Sequence, residues 1–173
     1  MELEQHMKNR VSVILCVCLC FAYLAFARTK TDSAAKEIRV TGHATGTFEV
    51  KLVPQPATEE EAKATLGRMS IDKQFHGDLE GTSKGVMLSS GTAQSSGAYV
   101  ALEKVSGTLK GRNGTFVLQH TGIMTRGTPQ LTISVVPDSG TGELTGIAGK
   151  MDIKISDGKH FYEFDYTLPE KSN

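Results

Sequence analysis

The stretch YVALEKVSGTLKGRNGTFVLQH, residues 99–120, has the pattern of two β-strands joined by a tight turn. Asn113-Gly114 is among the strongest short sequence signals for a hairpin turn. Successive side chains of a strand point to opposite faces, so the apolar residues at alternate positions mark the buried face. Glu103 falls on that apolar face, where an acidic residue is unusual. The stretch therefore predicts an antiparallel hairpin that carries a carboxylate on its buried side.

Two registers of this hairpin are compatible with the turn. Pairing Arg112 with Thr115 places Glu103 opposite Met124, whereas a four-residue loop places Glu103 opposite Gly122. In the second register Glu103 and His120 are diagonal neighbours, with backbones about 7–8 Å apart. Both registers keep the same faces because side chains alternate with period two. The residues predicted to share the inner face are Tyr99, Glu103, Val105, Leu109, Phe116, Leu118, His120 and Met124.

Alternating stretches of the same kind follow one another along residues 37–169, with glycine-rich turns between them. They predict about eight strands, and only the segment after Thr58 predicts a helix. An antiparallel meander of this size closes into a barrel, which removes exposed strand edges. The predicted fold is therefore all-β, a single antiparallel barrel of roughly eight strands. Its interior either is filled by side chains or holds one small ligand.

The last predicted hairpin turns at Asp157-Gly158 and repeats the same logic. Charged residues alternate with apolar and aromatic ones on both of its strands, so one face is solvent and the other faces the barrel. The inner face is predicted to carry Met151, Ile153, Ile155, His160, Tyr162, Phe164 and Tyr166.

Residues 1–27 have the features of a Sec-type signal peptide, and residues 28–36 are predicted to be a polar linker before the barrel domain, residues 37–169. Lys8 and Arg10 precede an apolar run that ends in Ala25-Phe26-Ala27, a small-x-small cleavage pattern. We therefore expect a secreted or periplasmic protein with no membrane association after cleavage. The alternative is a retained N-terminal anchor, although the run is at the short end of the membrane-spanning range.

Cleavage after Ala27 predicts that the exported protein begins at Arg28. N-terminal sequencing of the protein from the periplasm or the culture medium tests this prediction. Recovery of the full-length chain in the membrane fraction would support the anchor instead.

The cysteines, the net charge and the histidine spacing argue against several classes of function. All three cysteines, Cys16, Cys18 and Cys20, lie within the leader, so the barrel domain is expected to fold without disulfides or thiol chemistry. The net charge is zero and no basic stripe is present, which argues against a nucleic-acid partner. The histidines after the leader form no closely spaced pair, so a metal site would require ligands that converge from separate strands, and none is expected. No other cofactor is expected.

Glu103 and His120 are the candidate catalytic residues. Glu103 either is pushed out at a bulge, where it pairs with Lys104 or another neighbour, or lies inside, where burial raises its pKa and suits it to acid–base chemistry. His120 is either an ordinary core histidine or the partner that orients Glu103. The candidate ligand-binding residues are Tyr99, Leu118, Met124, Tyr162, Phe164 and Tyr166. For an interior Glu103, Glu103→Gln is expected to keep the fold, with stability unchanged or higher, and to alter ligand binding.

Three segments carry a family resemblance: YVALEKVSGTLKGRNGTFVLQHTGIM, LTISVVPDSGTGELTGIAGKMDI and HFYEFDYTL. Across residues 39–168 the chain resembles a bacterial family known as domain of unknown function 3224, a small β-barrel similar to allene oxide cyclase. The resemblance implies a cup-shaped barrel with an apolar cavity, a shape shared by cofactor-free cyclases and by non-enzymatic binders. In the cyclases a cavity glutamate assists the reaction, and Glu103 is the candidate for that role by its position in a strand.

Two functions follow as hypotheses. The first is an exported barrel that binds a small apolar molecule in its interior, either as a binder or as a cofactor-free cyclase or isomerase. The second is a structural or interaction protein with a filled barrel, which acts through its surface or as a homo-oligomer. An open interior of a few hundred Å³ favours the first hypothesis and a packed interior favours the second.

Overall fold

The computed structural model describes residues 38–170, so the predicted signal peptide and linker lie outside the described residues. Within this range, eight strands form a closed antiparallel barrel, as predicted. The barrel strands are β1 (Arg39–Gln55), β2 (Gly67–Gly77), β3 (Leu79–Gly91), β4 (Gly97–Leu109), β5 (Arg112–Thr125), β6 (Thr128–Val135), β8 (Ala148–Ser156) and β9 (Lys159–Pro169). A two-residue strand, β7 (Thr141–Gly142), pairs with the beginning of β5. Helix α1 (Glu59–Lys63) begins after Thr58, as predicted, and a capping box between Thr58 and Glu61 stabilises its first turn.

Each strand pairs with the next along the chain, except that β6 is followed in the barrel wall by β8, and β9 pairs with β1 to close the ring. Most of these ladders are long and continuous. Among the described residues, however, β6 and β8 are joined only through the pairing of Ser134 with Lys150. Among the described residues no helix is long and apolar enough to cross a membrane.

The β4–β5 turn differs from both predicted registers. Leu109 pairs with Arg112, so the turn consists of Lys110 and Gly111, whose φ values of 44° and 80° are those of a tight hairpin turn. Asn113 is held within β5 because its backbone N–H donates to Glu143 Oε2 and its carbonyl accepts from the Glu143 N–H. The register therefore shifts by an even number of residues, and the predicted faces survive although the predicted partners do not. The Asp157-Gly158 turn of the last hairpin is confirmed.

One end of the barrel interior is filled by side chains. The rings of Phe116 and Phe164 stack 5.6 Å apart although β5 and β9 are not neighbours in the wall, so the two side chains meet across the interior. The buried apolar core contains these two rings and Ala44, Phe48, Phe75, Leu79, Val105, Leu109, Leu118, Ile133, Val135, Leu144, Ile147, Met151, Tyr162 and Leu168.

The opposite end of the barrel is open to solvent. Four apolar side chains have the parity of the inner face but remain 39–65% exposed: Leu52, Met124, Leu131 and Ile155. They lie where β1, β5 and β8 end and where β6 begins, which is one end of the barrel because neighbouring strands are antiparallel. We call this end the mouth.

Three inward tyrosines each lie against a glycine on the neighbouring strand. A Cβ atom at any of these glycines would overlap the facing side chain, so the glycine leaves the space that the ring fills. The pairs are Tyr99–Gly122, Tyr162–Gly46 and Tyr166–Gly42, each directly opposite in register.

Candidate functional site

Glu103 lies fully buried inside the barrel, and the structure gives it a partner that the sequence analysis missed. Lys73 Nζ donates a hydrogen bond of 2.8 Å to Glu103 Oε2, and the Ser83 hydroxyl donates to Oε1. The Lys73 side chain is only 6% exposed, so this ion pair is shielded from water. With His120 these residues form the polar cluster: Lys73, Ser83, Glu103 and His120.

The register of β2, β3 and β4 explains why the cluster assembles. Lys73 pairs with Ser83 across β2 and β3, and Glu103 lies opposite Gly85 across β3 and β4. Ser83 is therefore a diagonal neighbour of Glu103 on the same face. Gly85 leaves room at this point, since a Cβ atom there would lie 2.9 Å from Glu103 Cα.

His120 completes the polar cluster from β5. It pairs with Ala101 and is diagonal to Glu103, so the predicted proximity of Glu103 and His120 is confirmed. Its Nε2 lies 3.0 Å from Glu103 Oε2, but the angles are not those of a hydrogen bond. Nε2 is thus a buried side-chain nitrogen without a hydrogen-bond partner among the described residues, on a ring that is only 5% exposed.

The pKa of Glu103 is lowered, whereas the sequence led us to expect that burial would raise it. Burial alone would raise the pKa of the carboxyl, but the His120 ring, the Lys73 ammonium and the Ser83 hydroxyl outweigh it and lower the pKa to about 2. Lys73 Nζ also lies 4.8 Å from the centre of the Phe48 ring, a cation–π distance. At neutral pH Glu103 is therefore an ionised member of a buried ion pair.

Two of the predicted ligand-binding residues lie at the mouth. Tyr99 and Met124 line an apolar groove of about 330 Å³ together with Met87, Gly122 and Leu131. Burial, with a smaller contribution from the Glu103 charge, raises the pKa of the Tyr99 hydroxyl. The groove and the polar cluster are therefore near each other.

The other predicted ligand-binding residues lie deeper. Leu118 and Phe164 are fully buried in the filled core, and the Tyr166 ring packs 5.3 Å from Phe164. The Tyr162 hydroxyl accepts a hydrogen bond from the Leu79 N–H at 2.8 Å, so it fixes the β2–β3 connection. The structure thus separates a mouth containing Tyr99 and Met124 from a packed interior containing the remaining residues.

The comparisons with known proteins agree with this architecture. The family profile described as "Protein of unknown function (DUF3224)" matches residues 44–166. The chain belongs to this family. A crystal structure of a DUF3224 protein of unknown function from Shewanella oneidensis MR-1 is 50% identical to it, covering 77% of this chain and all of that chain, with a TM-score of 0.69. The search of curated proteins found no match.

Lys73 could have been found from the sequence. Met69 and Ile71 precede it at the alternate positions of β2 and Phe75 follows, so extending the alternation places Lys73 on the inner face. A lysine on a strand is usually solvated, which hides this signal. No group of three or more His, Cys, Asp or Glu side chains within residues 38–170 is arranged to hold a metal ion.

Proposed function

We propose that the protein binds a small, mainly apolar molecule at the mouth of its barrel. The observation that carries the proposal is the exposure of Met124 and Leu131, two inward-facing apolar side chains that line a groove of about 330 Å³. A concave apolar site with few convergent polar groups is the usual form of a small-molecule site. The polar side chains that line this groove are those of Ser89, Tyr99 and Gln130, and the polar cluster lies deeper in the barrel.

The state of Glu103 favours binding over acid–base catalysis. A carboxyl with a pKa of about 2 carries no proton to donate at neutral pH, and its conjugate base accepts protons weakly. Cyclisation or isomerisation through Glu103 would require the ligand to displace Lys73 or otherwise change this environment. We therefore propose a binding protein ahead of a cyclase or an isomerase.

The interaction-protein hypothesis also has an observation in its favour. The outer faces of β3 and β4 carry the exposed apolar residues Val86, Val100 and Leu102, which line a second shallow groove of about 400 Å³. An exposed apolar patch can be a protein-binding surface. An experiment on the mouth must therefore distinguish it from this outer face.

Binding of Nile red, an uncharged apolar dye, tests the proposal. We expect saturable fluorescence enhancement with the wild-type protein. Leu131→Glu places a charge in the mouth and should weaken binding at least about tenfold, because burying an unpaired carboxylate against an apolar ligand is costly.

The matched control is Val53→Glu, since Val53 is 36% exposed and Leu131 is 39% exposed but Val53 lies on the outer face. Val53→Glu should leave dye binding unchanged. If Val100→Glu abolishes binding while Leu131→Glu does not, the dye occupies the outer face and the proposal is wrong. Absence of saturable binding to the wild type would favour the filled-barrel hypothesis.

A further inference from the structure

Below the groove, His120 belongs to the next inward-facing pair of residues that a ligand would reach. Along the paired strands β4 and β5, the inward pairs from the mouth are Gly97–Met124, Tyr99–Gly122, Ala101–His120 and Glu103–Leu118. The Tyr99–Gly122 pair lines the groove, and the next pair inward contains His120. A ligand that moves the Tyr99 ring off Gly122 therefore meets the imidazole before it meets the carboxylate.

At this point His120 Nε2 lacks a well-directed hydrogen bond among the described residues, although Glu103 Oε2 lies 3.0 Å from it. This nitrogen is buried, and an unpartnered buried polar atom is costly. A ligand hydroxyl or carbonyl oxygen would supply the missing hydrogen bond. The imidazole can serve either group, because its nitrogen accepts or donates according to the tautomer.

The charges of the polar cluster disfavour an ionised ligand group. Lys73 and Glu103 already neutralise each other at 2.8 Å. A carboxylate bound to His120 Nε2 would also approach Glu103 Oε2, which lies 3.0 Å from that nitrogen. Burial of a charge without a free counter-charge is strongly unfavourable.

We infer that the ligand of the mouth is a neutral apolar molecule whose single hydroxyl or carbonyl group hydrogen-bonds to His120 Nε2. This inference rests on the proposed function and names the class of ligand for the same site. Tyr99 is the side chain that must move to admit the polar group. The hydrogen bond to His120 favours ligands that carry such a group.

Competition against Nile red with four eight-carbon compounds tests the inference: 1-octanol, 2-octanone, octane and octanoate. We expect His120→Phe to raise the concentrations of 1-octanol and 2-octanone needed to displace the dye about tenfold, the effect of one lost hydrogen bond, and to leave displacement by octane unchanged. Octanoate should displace the dye more weakly than 1-octanol. Gln119→Leu, a neighbouring change on the outer face, should leave displacement by all four compounds unchanged.

Imidazole ¹⁵N spectra of the wild-type protein provide a measurement that does not depend on folding of the variant. The His120 Nε2 resonance should shift on addition of 1-octanol and stay in place with octane. Tighter binding of octanoate than of 1-octanol, or equal displacement by 1-octanol in the wild type and in His120→Phe, would overturn the inference while leaving apolar binding at the mouth intact. Failure of Nile red itself to bind would instead refute the proposed function.

Discussion

Replacing Glu103 by Gln should lower the free energy of unfolding by roughly 3–5 kcal/mol, the usual cost of breaking a buried ion pair from one side. Gln keeps the shape of the side chain but leaves the Lys73 ammonium, 6% exposed, without its carboxylate. This expectation replaces the one drawn from the sequence alone, in which no lysine faced an interior Glu103 and its neutralisation was expected to be tolerated. Urea denaturation at pH 7 measures the change.

A double-mutant cycle separates the interaction energy of the ion pair from the effect of changing the shape of each side chain. Lys73→Met should destabilise the fold by a similar amount because it leaves Glu103 buried and unpaired. The combination of Lys73→Met with Glu103→Leu should be more stable than Lys73→Met or Glu103→Leu alone, since it removes both charges together. If the Glu103→Gln variant were as stable as the wild type, the buried Lys73 ammonium would not need the Glu103 carboxylate as a counter-charge.

Acid should destabilise the wild-type barrel through the same pair. The folded-state pKa of Glu103 is about 2, below the ordinary value of 4.5, so its stabilising contribution is fully present above about pH 4.5 and disappears as the pH falls towards 2. A difference of this size corresponds to roughly 3 kcal/mol. Urea denaturation at several pH values between 7 and 2.5 measures the loss.

The Lys73→Met/Glu103→Leu variant is the control for this pH dependence. Glu61 and Asp78 also have lowered pKa values, Glu61 mainly through its backbone hydrogen bond with Thr58 and Asp78 mainly through that with Thr45. Their titration is common to both proteins. The double variant should therefore lose less stability in acid than the wild type. Parallel pH profiles would mean that Glu103 does not contribute.

The faces of the strands could be predicted from the sequence because alternation is a local property. Val105, Leu118 and His120 are buried as predicted even though the turn falls at Lys110-Gly111. The register could not be predicted, because Asn113 is kept in β5 by Glu143, a residue from another hairpin. Turn propensity is a local preference, and here a tertiary contact overrides it.

The chemistry of the candidate site was less accessible to sequence reasoning than its position. The pKa of Glu103 depends on Lys73, which is 30 residues away in the chain and reaches the carboxylate across β3. Burial alone would raise the pKa, but the His120 ring, the Lys73 ammonium and the Ser83 hydroxyl together outweigh it, so a prediction from burial alone has the wrong direction. Likewise, the alternation of side chains predicts that Tyr162 and Tyr99 both face inward. It does not predict which of them lies in the packed interior and which lies at the mouth.

The barrel wall has its least backbone pairing between β6 and β8. Within the described residues one pairing, Ser134 with Lys150, joins these strands, so separating them leaves the other ladders whole. Local opening of a protein follows such low-cost boundaries rather than crossing its long ladders. The wall would then be an uncurled sheet with two free edges, and free edges recruit strands from other molecules. Buried side chains on both strands, among them Ile133, Val135 and Met151, therefore contribute much of what keeps this junction closed.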